Sequence, residues 1–203
     1  RLVINSGYGI ENCIRERMTR ILLGSGIAYP ESIIVNTDEA VADRLKKMKI
    51  DRCWIKRGES HSLHHEDVCY ARHAEEAQEL LQEFFLRGIK KAVINRHLDG
   101  ELVKFYGVAG TPFFYTFYPF RQQHGKQADP DRPQADPNRM RAMCEKAAEE
   151  LDVKIYGGDC ILSDDGTLSL IDINDWPSFA PCRQDAAPAI ARYVMTAIKE
   201  HNS

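Results

Sequence analysis

The chain has 203 residues, enough for one large domain or two small lobes with a substantial core. Its formal charge of -3 at pH 7 argues against nucleic acid or a membrane surface as the main partner, and no apolar run approaches the roughly 20 residues of a spanning helix. The cysteines, Cys13, Cys53, Cys69, Cys144, Cys160 and Cys182, include no C-x-x-C pair, which fits reduced thiols in a cytoplasmic protein better than a disulfide framework or a zinc site. No secretory signal is visible, and the sequence starts at Arg1 rather than Met, so a soluble fragment, or a chain that has lost a preceding domain, is expected.

In chain order, residues 11–23 carry Ile14, Met18, Ile21 and Leu22 at helical spacing, with Asn12 as a cap and Gly24 and Gly26 as the stop. A strand is predicted over 32–35, a helix over 39–48 and a second strand over 53–56. The polar loop RGESHSLHHED then leads to a third strand, 68–71, and a helix over 73–86. We take residues 1–91 as one small α+β lobe. A second lobe, 92–203, is expected to start with the strand AVINRH, turn at Asp99-Gly100 and return as ELVKFYGVA, with an aromatic strand over 113–118 beside it. Residues 119–138 are rich in Pro, Gln, Asp and Gly without apolar period, and read as a long mobile loop of the kind that often forms a lid. Helices over 139–151 and 186–199 flank two apolar strands, 155–162 and 168–174. No internal repeat is found.

Those two strands carry the sharpest chemistry. Asp165-Gly166 between them is a strong hairpin signal, and counting outward from that turn sets Asp159 directly opposite Asp172. Opposed like charges with Cβ atoms roughly 5 Å apart are destabilising unless something neutralises them. A divalent cation would do so. Asn174 projects from the same face as Asp172, and the three side chains offer only hard oxygens, a set that suits magnesium or manganese. The competing reading is a surface hairpin with a solvated acidic face; the apolar Ile155, Ile161, Leu168, Leu170, Ile171 and Ile173 favour a cleft instead.

Lys56 ends an apolar strand, where it either reaches a phosphate or is merely solvated. The loop after it, with His61, His64 and His65, offers N–H groups and imidazoles to phosphate oxygens, and lacks the spacing of a zinc site. Lys104 lies mid-strand and faces either a polar site or solvent. Trp176 and Phe179 after the acidic strand face an acceptor or simply pack.

The order of these features resembles the ATP-grasp superfamily: small lobe, strand-ending lysine, phosphate loop, hinge strand, mobile loop, acidic strand and D-x-N. The most specific pieces are GGD at 157–159 and IDIN at 171–174. The resemblance implies an α+β, ATP-grasp fold with two lobes whose antiparallel sheets grip ATP, here without the further domain that usually precedes this region. It also implies that Asp159 and Asp172 bind magnesium, with Asn174 completing a second site. Lys56 and Arg15 would contact phosphates, although many members carry Lys at the position of Arg15. His61 would belong to the phosphate loop. Val93, Ile94, Asn95, Arg96 and His97 would form the hinge, binding adenine through backbone groups, without the acidic residue common there. KRGESH and NRHLDGELVKFYGV are similar to the inositol polyphosphate kinases; the ribosomal-protein glutamate ligases and glutathione synthetases are similar at comparable strength.

Either subclass transfers the γ-phosphoryl group of ATP, a reaction governed by positioning and charge neutralisation. Two magnesium ions with Lys56, Lys104 and Arg141 are expected to supply the clamp, and Arg183, which follows the metal motif, to bind the acceptor's carboxylate or phosphate. The ligase reading, in which a small-molecule or peptide carboxylate becomes an acyl phosphate and an amine attacks it, is favoured because most of the family does that chemistry. A polyol kinase and a non-catalytic nucleotide-binding module are the alternatives.

Overall fold

The computed structural model describes residues 2–60, 64–121 and 133–202. The helix expected over 11–23 is in fact two, α1 (Gly7–Asn12) and α2 (Arg15–Gly24), separated at Cys13 and Ile14. Ser6 supplies the first cap, its hydroxyl accepting from the Gly9 N–H at 3.0 Å. Asn12 is not a cap: its side chain donates to the Leu151 carbonyl, and α2 begins without a side-chain cap. Next come β1 (Ser32–Asn36), α3 (Ala42–Lys47), β2 (Cys53–Arg57), a single 3-10 turn at His65–Asp67, β3 (Val68–Ala71), α4 (Ala74–Leu86) and β4 (Lys91–Arg96). The remaining elements are β5 (Glu101–Val108), β6 (Phe114–Phe117), α5 (Pro137–Glu150), β7 (Ile155–Leu162), β8 (Leu168–Asp175), a second 3-10 turn at Ala180–Cys182 and α6 (Arg183–His201). No helix among the described residues is long and apolar enough to cross a membrane.

The chain divides into two compact units, each with one four-stranded sheet. One unit comprises Ile14–Gly26 and Pro30–Leu98. Its strands run antiparallel in the order β1-β4-β2-β3. Alternation turns Ile33, Val35, Ile55 and Ile94 to one face, where Leu45 of α3 and Leu81 and Phe84 of α4 complete an apolar core. On the other face α2, burying Met18 and Leu22, packs against β1 and β4. Here the structure differs from the sequence-based division at 91/92. The strand AVINRH does not open the second lobe: it is an inner strand of the first sheet, and the division falls after Leu98. Asp99-Gly100 is accordingly no hairpin turn, since β4 pairs with β1 and β2 while β5 pairs with β6 and β7.

The other unit holds the residues up to Cys13, Ile27–Tyr29 and the chain from Asp99 on. Its order is β6-β5-β7-β8, again antiparallel throughout. Helix α5, capped by Asp136 and started by Pro137 at a position where a missing N–H costs nothing, packs on β8, and α6 packs on β5. Asn5 ties the N-terminal segment to β7: its side chain donates to the Ile155 carbonyl and accepts from the N–H groups of Lys154 and Ile155.

Strands β7 and β8 pair Asp159 with Asp172, but not by the straight count from the turn. The connection is longer than expected, with Leu162 opposite Leu168 and the Ser163 N–H donating to the Thr167 carbonyl at 2.9 Å. From that start an unbroken ladder would set Ile171 against Asp159. Instead the register shifts between Asp159 and Cys160, and β8 accommodates Ile171 as an extra residue. A one-residue shift moves every later side chain to the opposite face. Leu168, Leu170 and Ile173 are therefore buried, while Asp172 and Asn174 come out partly open. Without the bulge, Asp172 and Asn174 would share the face of Leu168 and Leu170.

Candidate functional site

The bulge is what builds the acidic site. Asp159 and Asp172 face one another across β7 and β8, both half-buried, and Asn174 follows on the same face. Asn174 Nδ2 lies 3.4 Å from Asp172 Oδ2, which turns the amide nitrogen toward the carboxylate. The glycines of GGD have a steric reason. A Cβ at Gly158 would lie 2.1 Å from the carbonyl oxygen of Asp172, beside the bulge, and one at Gly157 would lie 2.8 Å from the Phe105 carbonyl oxygen.

Lys104 is the cross-strand partner of Asp159, and its Nζ lies 2.6 Å from Asp159 Oδ1. The mid-strand lysine thus faces a polar site, and it supplies part of the neutralisation that the facing carboxylates need. Tyr106, two residues on and hence on the same face, is pushed above the usual phenol range mainly by burial. Cys13 lies near the carboxylates of Asp175 and Asp172; burial first, and those charges second, push its thiol up to about 12. Among the described residues no group of three or more His, Cys, Asp or Glu side chains is placed to hold a metal ion. Two carboxylates and an amide oxygen on one face, without sulfur or imidazole, are nevertheless a donor set that fits magnesium rather than zinc.

The remaining expected residues fall into several settings. Lys56 is not at the strand's end but one residue inside it, 8 % exposed, with Val68 and Val93 as its cross-strand neighbours. Arg57 ends β2 and lies 3.7 Å from the fully buried Asp67, which also pairs with Arg87. Arg15 opens α2 and donates to the Arg57 carbonyl at 3.4 Å. His61 lies outside the described residues, as does residues 122–132 of the expected mobile loop.

The expected hinge residues lie in and just after β4. Val93, Ile94 and Asn95 belong to an inner strand bonded on both sides, so their backbone groups serve the sheet rather than a base. The N–H groups of Arg96 and His97 are likewise taken, by the carbonyls of Glu31 and Arg52. Side chains offer something different. Asn95 Nδ2 donates to Ser32 Oγ at 2.7 Å, while Asn95 Oδ1 is buried and has no hydrogen-bond partner among the described residues. Ser32, Asn95, Trp54 and Tyr70 form one row across the sheet. Trp54 stacks obliquely on Tyr70 and donates from its indole nitrogen to His97 Nδ1 at 3.0 Å. Sequence reading missed this row, although period-two alternation places Trp54 on the face of Lys56.

Arg141 has a structural role as well. Its guanidinium is committed to Glu145 at 2.8 Å, to the Thr111 carbonyl at 2.8 Å and to the Pro112 carbonyl at 3.1 Å, and so braces the turn after β5. Arg183 is exposed at the first position of α6. Trp176 is 45 % exposed, held by a 2.8 Å bond from its indole nitrogen to the Ile4 carbonyl, whereas Phe179 packs against Tyr106 and Phe113.

No family model and no curated protein sequence matches the chain. Solved structures do match its fold. The D-alanine–D-alanine ligase from Coxiella burnetii superposes on 96 % of this chain with a TM-score of 0.72 at 13 % identity. That from Bacillus anthracis, complexed with ATP, covers 98 % with a TM-score of 0.69 at 16 % identity. The ATP-grasp ligase PsnB, complexed with a precursor peptide and AMPPNP, covers 96 % with a TM-score of 0.65 at 13 % identity. This chain spans 60 %, 70 % and 62 % of those three chains. It has the fold that the ATP-grasp ligases have.

Proposed function

We propose that the chain is the nucleotide- and metal-binding part of an ATP- and magnesium-dependent ligase, joining a carboxylate to an amine in the cytoplasm. The observation that carries this reading is the facing pair Asp159 and Asp172, with Asn174 beside it, turned out of the core by the Ile171 bulge. A fold shared with ligases whose structures hold ATP or AMPPNP supports it.

In this reading Asp159, Asp172 and Asn174 would hold magnesium. The bound ion would neutralise phosphate charge as the γ-phosphoryl group leaves ATP. Lys104, already hydrogen-bonded to Asp159, would hold that carboxylate in place. Lys56 would present its ammonium to the phosphates from a position with little competing water, where a charge acts more strongly. Asn95 Oδ1, the acceptor without a partner among the described residues, would suit the amino group of adenine, in place of the backbone groups that the sheet consumes. Arg15 and His61 remain candidates for the phosphates, and Arg183 for the acceptor's carboxylate, which would become an acyl phosphate open to attack by an amine. Arg141 stays a candidate for the phosphate clamp, with three of its five N–H donors bonded to Glu145, Thr111 and Pro112.

The test is product analysis with magnesium-ATP and a panel of amino acids and peptides. A ligase releases ADP and inorganic phosphate in step with a new amide, detected by mass spectrometry. A phosphorylated acceptor with no free phosphate would replace this reading by a kinase.

A further inference from the structure

Among the described residues, Asn95 Oδ1 is the buried side-chain oxygen that has no hydrogen-bond partner, in a residue 2 % exposed. Buried acceptors are seldom left in that state, and an exception asks for a donor from outside the chain. The donor beside it is committed. Trp54 is the cross-strand neighbour of Asn95 on β2, and its indole N–H is given to His97 Nδ1 at 3.0 Å. Ser32 and Trp54, on either side in the row, are only half-buried, so the oxygen lies close beneath the surface of this sheet face.

Which end of the amide is left over is decided by Ser32, the cross-strand neighbour on β1. The Ser32 hydroxyl donates its one hydrogen to the Pro30 carbonyl at 2.6 Å, so toward Asn95 its oxygen can only accept. The Asn95 amide therefore turns its nitrogen to Ser32, at 2.7 Å, and its oxygen away. A flipped amide would set two acceptors against each other and strand the amide hydrogens in a buried place. The face that offers this fixed acceptor is also the face of Lys56, two residues along β2 from Trp54. On the nucleotide-binding reading above, we infer that Ser32 and Asn95 choose the base: Asn95 Oδ1 accepts from the exocyclic amino group of adenine, and Ser32 is the positioning residue that restricts the amide to offering an acceptor. A base with an oxo group at that place, as in hypoxanthine or guanine, brings an acceptor against an acceptor and leaves the buried oxygen unpaired.

The experiment is calorimetric titration with magnesium-ATP and with magnesium inosine triphosphate, whose base carries the oxo group in place of the amino group, on the chain, on Ser32→Ala and on Ser32→Thr. The chain should prefer ATP by roughly ten- to a hundredfold, the range that an unpaired buried acceptor sets. Ser32→Ala, in which the amide is free to flip, should lose most of that preference, chiefly by binding inosine triphosphate more tightly. Ser32→Thr, which keeps the hydroxyl, should choose as the parent does. A merely structural serine would weaken both nucleotides alike in Ser32→Ala and leave their ratio unchanged, and that result would overturn the role of Ser32. Equal affinity of the parent for the two nucleotides would overturn base selection while nucleotide binding stands. Binding of neither nucleotide would overturn the nucleotide reading itself, and the selection with it.

Discussion

The two sheets have the same number of antiparallel strands and treat charge in opposite ways. In the β1-β4-β2-β3 sheet, Lys56 sits nearly buried between two valines, and the strand needs no irregularity to carry it. In the β6-β5-β7-β8 sheet, the short carboxylates of Asp159 and Asp172 lie half-open, and the strand needs an extra residue to put them there. Side-chain length explains the difference. Four methylenes let a lysine pack against apolar neighbours and still deliver its ammonium elsewhere, whereas an aspartate carries its charge one bond from Cβ and must be placed by the backbone itself. A cation can be lodged in a regular strand; an acidic pair has to be steered by register.

The largest effect should come from inserting an alanine between Ile171 and Asp172. With the bulge kept, the insertion moves Asp172 and Asn174 on by one place and turns them toward the face of Leu168 and Leu170, at a cost of several kcal/mol for burying a charge, whereas deleting Ile171 closes the ladder with Asp172 still opposite Asp159. Circular-dichroism melting should show loss of the cooperative transition in the insertion variant; an insertion variant that melts like the parent would contradict the steering of the acidic pair by register. Lys104→Met should cost about 1–3 kcal/mol by removing a charge-assisted bond to a half-buried carboxylate. Added magnesium should then raise its Tm by more than it raises the parent's, because ion and ammonium relieve the same pair. Equal shifts would mean that the cation does not sit at Asp159.

Lys56→Met should lower ATP affinity roughly tenfold while the melting temperature moves little, since a methionine fills the same apolar slot. A large drop in Tm with unchanged affinity would make Lys56 structural. The smallest effect concerns the thiols. Burial pushes Cys13 up to about 12 and Cys53 to about 11, and Cys69 is the half-exposed one. Iodoacetamide at pH 8 should therefore modify Cys69 first in the native chain, as peptide mapping would read.

Local patterns made most elements legible. The alternation in 155–162 and 168–174 and the helical spacing in 139–151 correspond to β7, β8 and α5 within a few residues. Counting outward from Asp165-Gly166 sets Asp159 opposite Asp172 only because an offset of one residue at the turn and another at Ile171 cancel. Nothing in the residues 168–174 announces the bulge, because Ile171 is as good a strand former as its neighbours. The membership of β4 was illegible for a different reason. AVINR is apolar on both faces, as an inner strand is, and its partners β1 and β2 lie far away in sequence. The commitment of Arg141 to carbonyls of a turn some thirty residues away has no local signal either.

The most direct test of the central claim is calorimetric titration with ATP, with and without magnesium, on the chain and on Asp172→Ala. Binding that requires magnesium, and is lost in the variant while its melting curve keeps its shape, is the expected result. Binding of equal strength in Asp172→Ala, or binding indifferent to magnesium, would contradict it.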